Sequence, residues 1–367
     1  MRARTTRFLG ATAIAACACL TLTGTASAVA PANGLEEVIA AAGSDTTVDI
    51  TGAILANANS AAAKAAWNTD PDNYVNVPPV LAAGQTFTVP ADPFADAVTY
   101  GSGGVPVPNG SSQGKAALKA SAEAGDGKID IARSSSARSS SDPASFEFFA
   151  FATDGVTWSS SATGSGAGLT LTLAQLRGIY DGSITNWNQV GGANSPIAVY
   201  LPQTGSGTLS FFTGTVLGFD PTTKPVTVKR FQEHDGNSIP AADRATAIAP
   251  FSIAQWIAQG NAVTADKRAG FTVNPLTGAG FNGSPVSGSA GSYTPAFTTA
   301  FLGSRSVYNV VDSRTPSYDQ AKRAVGFDAG DSASTASPLC GGQLATTIQR
   351  YGFLTVSGPN GLSCVKS

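Results

Sequence analysis

Histidine is almost missing from this chain: 367 residues hold only His234, beside four cysteines and one methionine. One imidazole, far in sequence from every cysteine, argues against a His/Cys metal centre, and neither metal nor cofactor is expected. Charge is scarce too, with only 13% of residues Asp, Glu, Lys or Arg. No basic run follows the first seven residues, which argues against a nucleic-acid partner. Nothing after Leu22 is apolar for long enough to read as a membrane span.

What is present first is an export signature. Arg2, Arg4 and Arg7 precede an apolar stretch from Phe8 to Leu22, and Ala26-Ser27-Ala28 offers a small-residue cleavage site. Residues 1–28 therefore read as a signal peptide. Ile14-Ala15-Ala16-Cys17 also fits a lipoprotein box, a rival reading that would tether the protein through Cys17. Removing three of the 22 basic residues and none of the 24 acidic ones leaves a mature net charge of −5. The expectation is a monomer outside the cytoplasmic membrane, secreted or held at the cell surface. Cys340 and Cys364 are then an even pair in an oxidising compartment and are expected to form one disulfide.

Strand-like apolar segments alternate with helical spacing along the rest of the chain. Lys128–Ala132, Ile197–Leu201, Ala245–Phe251 and Val307–Val311 read as strands. Val48–Ala66, Lys115–Ala124 and the run through Leu173, Leu176, Ile179 and Tyr180 carry helical periodicity. That alternation predicts an α/β fold. Phe146–Trp158 is an aromatic run, broken at Asp154-Gly155, that suits a strand passing between two lobes. The chain is long enough for two cores. The expected division is residues 29–157 with 245–367 as one discontinuous lobe and 158–244 as a lobe inserted into it. The glycine-rich stretch from Gly270 to Thr294 is expected to be mostly loop.

Hydroxyl and glycine clusters stand where strands hand over to helices: Gly43-Ser44-Asp45-Thr46-Thr47, Arg133-Ser134-Ser135-Ser136 and Thr204-Gly205-Ser206-Gly207-Thr208. A fourth loop ends in Gly110-Ser111-Ser112. Helix N-termini present unpaired N–H groups and the positive end of the dipole, so several of them converging would hold a small anion without a catalytic triad. Each cluster also has the plainer reading of a helix cap. Arg133, at a strand end, either faces an anion or pairs with Asp130. Glu233-His234-Asp235-Gly236 is the one cluster that suggests an enzyme. No Gly-x-Ser-x-Gly elbow accompanies it, and a solvated turn is the alternative.

The segment Leu173-Ala174-Gln175-Leu176-Arg177-Gly178-Ile179-Tyr180-Asp181-Gly182-Ser183-Ile184-Thr185-Asn186-Trp187-Asn188, with Val190-Gly191-Gly192, Ile197–Tyr200 and Gly205–Thr208 followed by Phe212, resembles the phosphate-binding proteins of bacterial ABC transporters. The resemblance implies a class II periplasmic-binding-protein-like α/β fold, its two lobes joined by crossover strands and closing on a ligand. It implies an extracellular solute-binding protein that captures a small anion, phosphate first, and delivers it to a membrane ABC permease. It carries ligand contact onto Ser44, Thr46 and Thr47, onto Ser111 and Ser112, onto Ser134 and Ser135, and onto Gly205, Ser206, Gly207 and Thr208. Two departures stand out. Ser135 lies where the family places an Asp that accepts the proton of hydrogen phosphate, and Pro202, Gln203 and Thr204 lie where it places an Arg and an Asp. Arg133 or Arg138 would have to restore the lost charge. The alternatives are an extracellular binding protein with a changed ligand and no transport role, or a secreted phosphoester hydrolase using His234. No catalytic residue is expected in the leading reading.

Overall fold

Val38–Gly43 is buried at every position, as a strand covered on both faces must be, and forms β1. A computed structural model of the chain describes residues 35, 37–58, 60, 73–328 and 330–367. The export segment with Cys17, and the predicted helix beyond residue 60, lie outside the described residues. After β1, α1 (Val48–Ala58) buries Ile50, Ile54 and Leu55. β2 (Asn73–Asn76) and the hairpin of β3 (Thr86–Val89) with β4 (Val98–Gly101) lead to α2 (Ser111–Ala124) and β5 (Ile131–Ser134).

β6 (Phe146–Ser161) follows as one unbroken strand of 16 residues. The break expected at Asp154-Gly155 does not occur, because the two residues pair with Arg305 and Ser304. At about 3.3 Å per residue the strand reaches roughly 50 Å, enough to run through two cores. Next come β7 (Leu171–Thr172), α3 (Leu173–Asp181), β8 (Ala198–Pro202) and α4 (Gly207–Phe211), which continues as a wider turn over Phe212–Leu217. Thr172 and Gln175 form a reciprocal cap at the start of α3. β9 (Val228–Phe231), β10 (Ala247–Ser252), α5 (Ile253–Gly260), β11 (Phe271–Val273) and β12 (Leu276–Thr277) complete that half of the molecule. The glycine-rich stretch carries only the short ribbon of β13 (Val286–Ser287) and β14 (Thr294–Pro295). β15 (Ser304–Asp312), α6 (Tyr318–Ala324), α7 (Ala345–Arg350), β16 (Leu354–Thr355) and β17 (Val365–Lys366) end the chain.

The strands line up as β2-β1-β5-β15-β6-β10-β8-β9, with β11, β16 and β17 also on β6. β2, β1 and β5 are parallel, as are β10, β8 and β9, while β15 runs antiparallel between β5 and β6. Two groups of apolar side chains divide along β6. Phe148, Phe149, Phe151 and Ala152 pack with β1, β5 and β15, whereas Val156 and Trp158 pack with Leu176, Trp187, Phe212 and Ile248. The architecture is α/β and two-lobed, the arrangement of periplasmic binding proteins.

One boundary differs from the expectation. Ile248, Phe251, Ile253, Trp256, Val273 and Phe301 pack around Trp158 and Trp187, not with the first core. β10 pairs with β8 and the second half of β6; Ala254 of α5 touches the first core, and the chain runs back into it along β15. Burial of the indoles drives this: Trp158 and Trp187 are fully enclosed only when the segment from β10 to Phe301 closes over them.

Cys340 and Cys364 are bonded, with Cα atoms 5.0 Å apart, and hold the tail so that β17 adds to β6 through Val365 opposite Ala150. Closing a 24-residue separation removes about 3 kcal/mol of unfolded-chain entropy. Cys364→Ser is expected to lower unfolding free energy by about that amount in urea titrations; an unchanged midpoint would contradict it.

Candidate ligand-binding site

Four chain segments meet at the carboxyl ends of β1, β5 and β8 and the start of β15, where open α/β sheets gather ligands. Ser44, Thr46, Ser111, Ser135, Ser206 and Thr208 are all fully buried there. Ser44 Oγ donates to Ser135 Oγ at 3.1 Å. Ser111 Oγ accepts the Ser135 N–H at 3.0 Å and lies 3.3 Å from its hydroxyl. Thr46 Oγ1 is 3.3 Å from Thr208 Oγ1, across the two lobes. Gly207 has to be glycine for this approach, since a Cβ would stand 2.3 Å from Ser135 Oγ and 2.4 Å from Ser111 Oγ. The lobes also bond directly: the Ser112 N–H donates to Gly205 O at 3.1 Å, and Gln113 Nε2 donates to Thr204 O at 3.0 Å. Gly110, at φ +124°, lets that contact form, because a Cβ would meet Gly205 O at 2.5 Å.

The positive charge in the site comes from Arg305, which lies outside every motif singled out in the sequence. Its register in β15 sets it directly opposite Asp154 of β6. Nε and Nη2 donate to Asp154 Oδ2 at 3.2 and 2.8 Å. Nη2 also reaches Thr208 Oγ1 at 2.9 Å and Thr46 Oγ1 at 3.2 Å. Nη1 is buried and makes no hydrogen bond among the described residues, and neither does the buried hydroxyl of Thr47. The available signal was an arginine one position before the alternating run Ser306–Val311.

Glu233 and His234 are 2% and 3% exposed, so they are not the solvated turn weighed from sequence. Glu233 Oε2 accepts from Ser206 Oγ at 2.6 Å and lies 3.4 Å from His234 Nε2. Burial raises its pKa, yet bonding to His234, Ser206 and Thr208 outweighs that and holds the carboxyl below its usual range. Asp45 behaves oppositely: burial, then the nearby Glu233 charge, push it up to about 7. His234 Nδ1 accepts the Ser252 N–H at 3.4 Å, which leaves the proton on Nε2, 3.1 Å from Thr46 Oγ1. The Ser-His-Asp arrangement instead holds Nδ1–H on a carboxylate and takes the proton at Nε2. Among the described residues His234 does not take that arrangement.

Three expected contacts take other roles. Arg133 spends all five N–H donors on its own chain, on the carbonyls of Ser44, Ala41, Gly43 and Val77 and on Asn76 Oδ1. It pins the first loop to the sheet and has nothing left for a ligand; burial lowers its pKa to about 10, so it stays charged. Ser112 turns its side chain to solvent, one helix step of about 100° from Ser111. Ser134 Oγ closes a local turn onto Ser136 O at 2.8 Å. Arg138 is exposed and donates to Pro143 O, so it supplies no charge to the site. Ser206 both caps α4, through the Leu209 N–H at 3.0 Å, and binds Glu233.

Arg133→Met is expected to destabilise the fold by more than about 3 kcal/mol, because several buried carbonyls lose their donor at once. Urea unfolding measures this, and a loss under about 1 kcal/mol would show that other donors take over.

The family model described as PBP superfamily domain matches residues 79–317. A protein from Clostridium perfringens, described as a phosphate ABC transporter substrate-binding protein with bound phosphate, is similar at TM-score 0.54 and 16% identity, covering 87% of this chain and 100% of its own. A DING protein is similar at TM-score 0.50 and 13% identity, covering 87% and 90% respectively. A phosphate transport receptor from Vibrio cholerae aligns at TM-score 0.48 and 18% identity, over 87% of this chain and 100% of that one. No curated protein matches the sequence. With the family model spanning more than half its length, this chain belongs to the PBP superfamily.

Proposed function

We propose that the protein is an exported solute-binding protein that holds a small oxyanion, phosphate first, between its lobes and passes it to a membrane ABC permease. The observation that carries this is Arg305: a buried guanidinium set among Thr46 and Thr208 from opposite lobes, with Nη1 unspent. A buried cation with free donors favours an anionic partner, and hydroxyls from both lobes make the grip depend on closure. Ser44, Ser111, Ser135 and Thr47 complete the ring of donors. Binding and release then need no bond chemistry. The hinge is assigned to the point beside Asp154 where the paired strands β6 and β15 pass from one core to the other, with residues up to 153 and from 307 in one lobe.

Arg305 and Glu233 also answer the two departures in sequence. The Arg and Asp missing ahead of Gly205 are replaced by Arg305 and Asp154, brought in by the crossover strands. The acceptor missing at Ser135 is replaced by Glu233, ionised and seated on Ser206. An oxyanion that still carries a proton donates it to Glu233, whereas one without a proton meets only repulsion. A second reading, a changed ligand with no transport role, draws on the same bond, since Ser206 already spends its proton on protein.

Calorimetry and thermal shift separate these readings. Phosphate is expected to raise the melting temperature, by an amount equivalent to about 2.7 kcal/mol at a hundred times its Kd. Arg305→Lys keeps a charge but loses the planar fork, and should weaken phosphate roughly 10-fold or more. Absence of any shift with phosphate or sulfate would leave the changed-ligand reading. The native protein should prefer phosphate to sulfate, and Glu233→Gln should narrow that preference by about tenfold, one charge-assisted hydrogen bond. Equal discrimination in the variant would remove Glu233 from the selectivity argument.

A further inference from the structure

The hydroxyls of the ring are closed off from solvent, so an anion reaches Arg305 only when the lobes part. At the rim the lobes are joined by three carboxamides, Asn109 from the first and Gln203 and Gln232 from the second. The backbone of Asn109 bridges to Gly43, at the end of β1, which places it in the first lobe. Gln203 and Gln232 directly follow β8 and β9, and Pro202 and Phe231 pair in register, so the two glutamines emerge side by side. Asn109 and Gln232 face each other amide to amide: Asn109 Nδ2 donates to Gln232 Oε1 at 2.9 Å, and Gln232 Nε2 donates to Asn109 Oδ1 at 3.2 Å. Gln203 Nε2 donates to the same Oδ1 at 3.0 Å. Gln232 Nε2 also donates to Asp45 Oδ2, a further bond between the lobes. At the other end Gln203 Oε1 accepts the Glu233 N–H at 2.9 Å. That backbone donor fixes the orientation of Gln203, which fixes Asn109 and then Gln232. Among the described residues, none of the three carboxamides bonds to Arg305 or to a hydroxyl of the ring.

We propose that Asn109, Gln203 and Gln232 form a latch that holds the lobes shut whether or not the site is filled, and so sets how fast an anion enters and leaves rather than how tightly it binds. The statement about rates rests on the anion reading above. Every bond of the latch joins protein to protein, so it is the same with the ring empty or occupied. A contact of equal strength in both states cancels from the affinity. It does not cancel from the rates, because each entry and each exit has to break it. The three side chains are half-buried, so water takes up their amides when the lobes part. Opening then loses the small net value of neutral hydrogen bonds and leaves no orphaned group behind.

Small-angle scattering and phosphate-binding kinetics on the full mature protein, native and Asn109→Ala, test it. In phosphate-free buffer the variant is expected to show the larger radius of gyration. With inorganic phosphate its association and dissociation rates should both rise about tenfold, the scale of one or two neutral hydrogen bonds. Kd should stay within about threefold of native, because the two rate changes cancel. Should Asn109→Ala fail to fold, Gln203→Ala is read the same way. A Kd weakened about tenfold at an unchanged association rate would place the carboxamides in the grip on the anion and overturn the latch. Unchanged rates overturn it as well. Equal radii for native protein and variant overturn it whether or not phosphate binds. A larger radius in the variant, with no phosphate binding to either protein, keeps the latch and overturns the anion reading alone.

Discussion

The pairing of Asp154 with Arg305 is the constraint on which the site hangs. Asp154 is fully buried, and its two oxygens accept from Arg305, from Ser252 Oγ at 2.8 Å and from the Ala254 N–H at 3.1 Å. An isolated carboxylate at that depth would cost several kcal/mol, so the partners are required for the fold as well as useful in it. Because the two residues face each other across β6 and β15, the pair locks the register of the two strands that connect the lobes. The same guanidinium then reaches Thr46 in one lobe and Thr208 in the other. Scaffold and site are therefore one electrostatic unit.

Glu233 imposes the complementary condition. Its carboxylate sits on Ser206 and near Thr208, in the environment a helix start normally offers to a bound anion. In the proposed reading, a site that collects anions keeps a fixed negative charge among its donors. Under that proposal it lowers affinity for anions in general and rewards those that bring a proton. Selectivity is obtained at the expense of raw attraction.

The loops were legible in sequence because their chemistry is local. Gly43–Thr47 and Gly205–Thr208 announce themselves by glycine and hydroxyl spacing, and their burial follows from the strands before them. The charged half of the site was not legible, for a topological reason. Arg305 and Asp154 are 151 residues apart, and only the antiparallel pairing of β15 with β6 makes them neighbours. Arg133 misled for the converse reason: a cation at a strand end looks like a ligand group until all its donors are traced to carbonyls. Ser111 and Ser112 differ only by helix phase, which composition cannot report. The return of β10 and α5 to the second core followed from enclosing Trp158 and Trp187, a demand of packing rather than of pattern.

For the proposed capture of an anion, the ring of hydroxyls is already bonded to itself, and this limits how much each can contribute. Ser44 with Ser135, and Thr46 with Thr208, exchange one partner for another when an anion enters. Such exchanges are worth little net, about 1 kcal/mol each, because the bond lost resembles the bond gained. Groups with no partner stand differently: Arg305 Nη1 and Thr47 Oγ1 have paid for desolvation on folding and gain a full bond on binding. Affinity should therefore concentrate in one arginine and one threonine, while the serines, bonded either way, determine shape. Preorganisation of this kind favours tight binding to a single geometry, since little rotamer freedom remains to be lost when the ligand arrives.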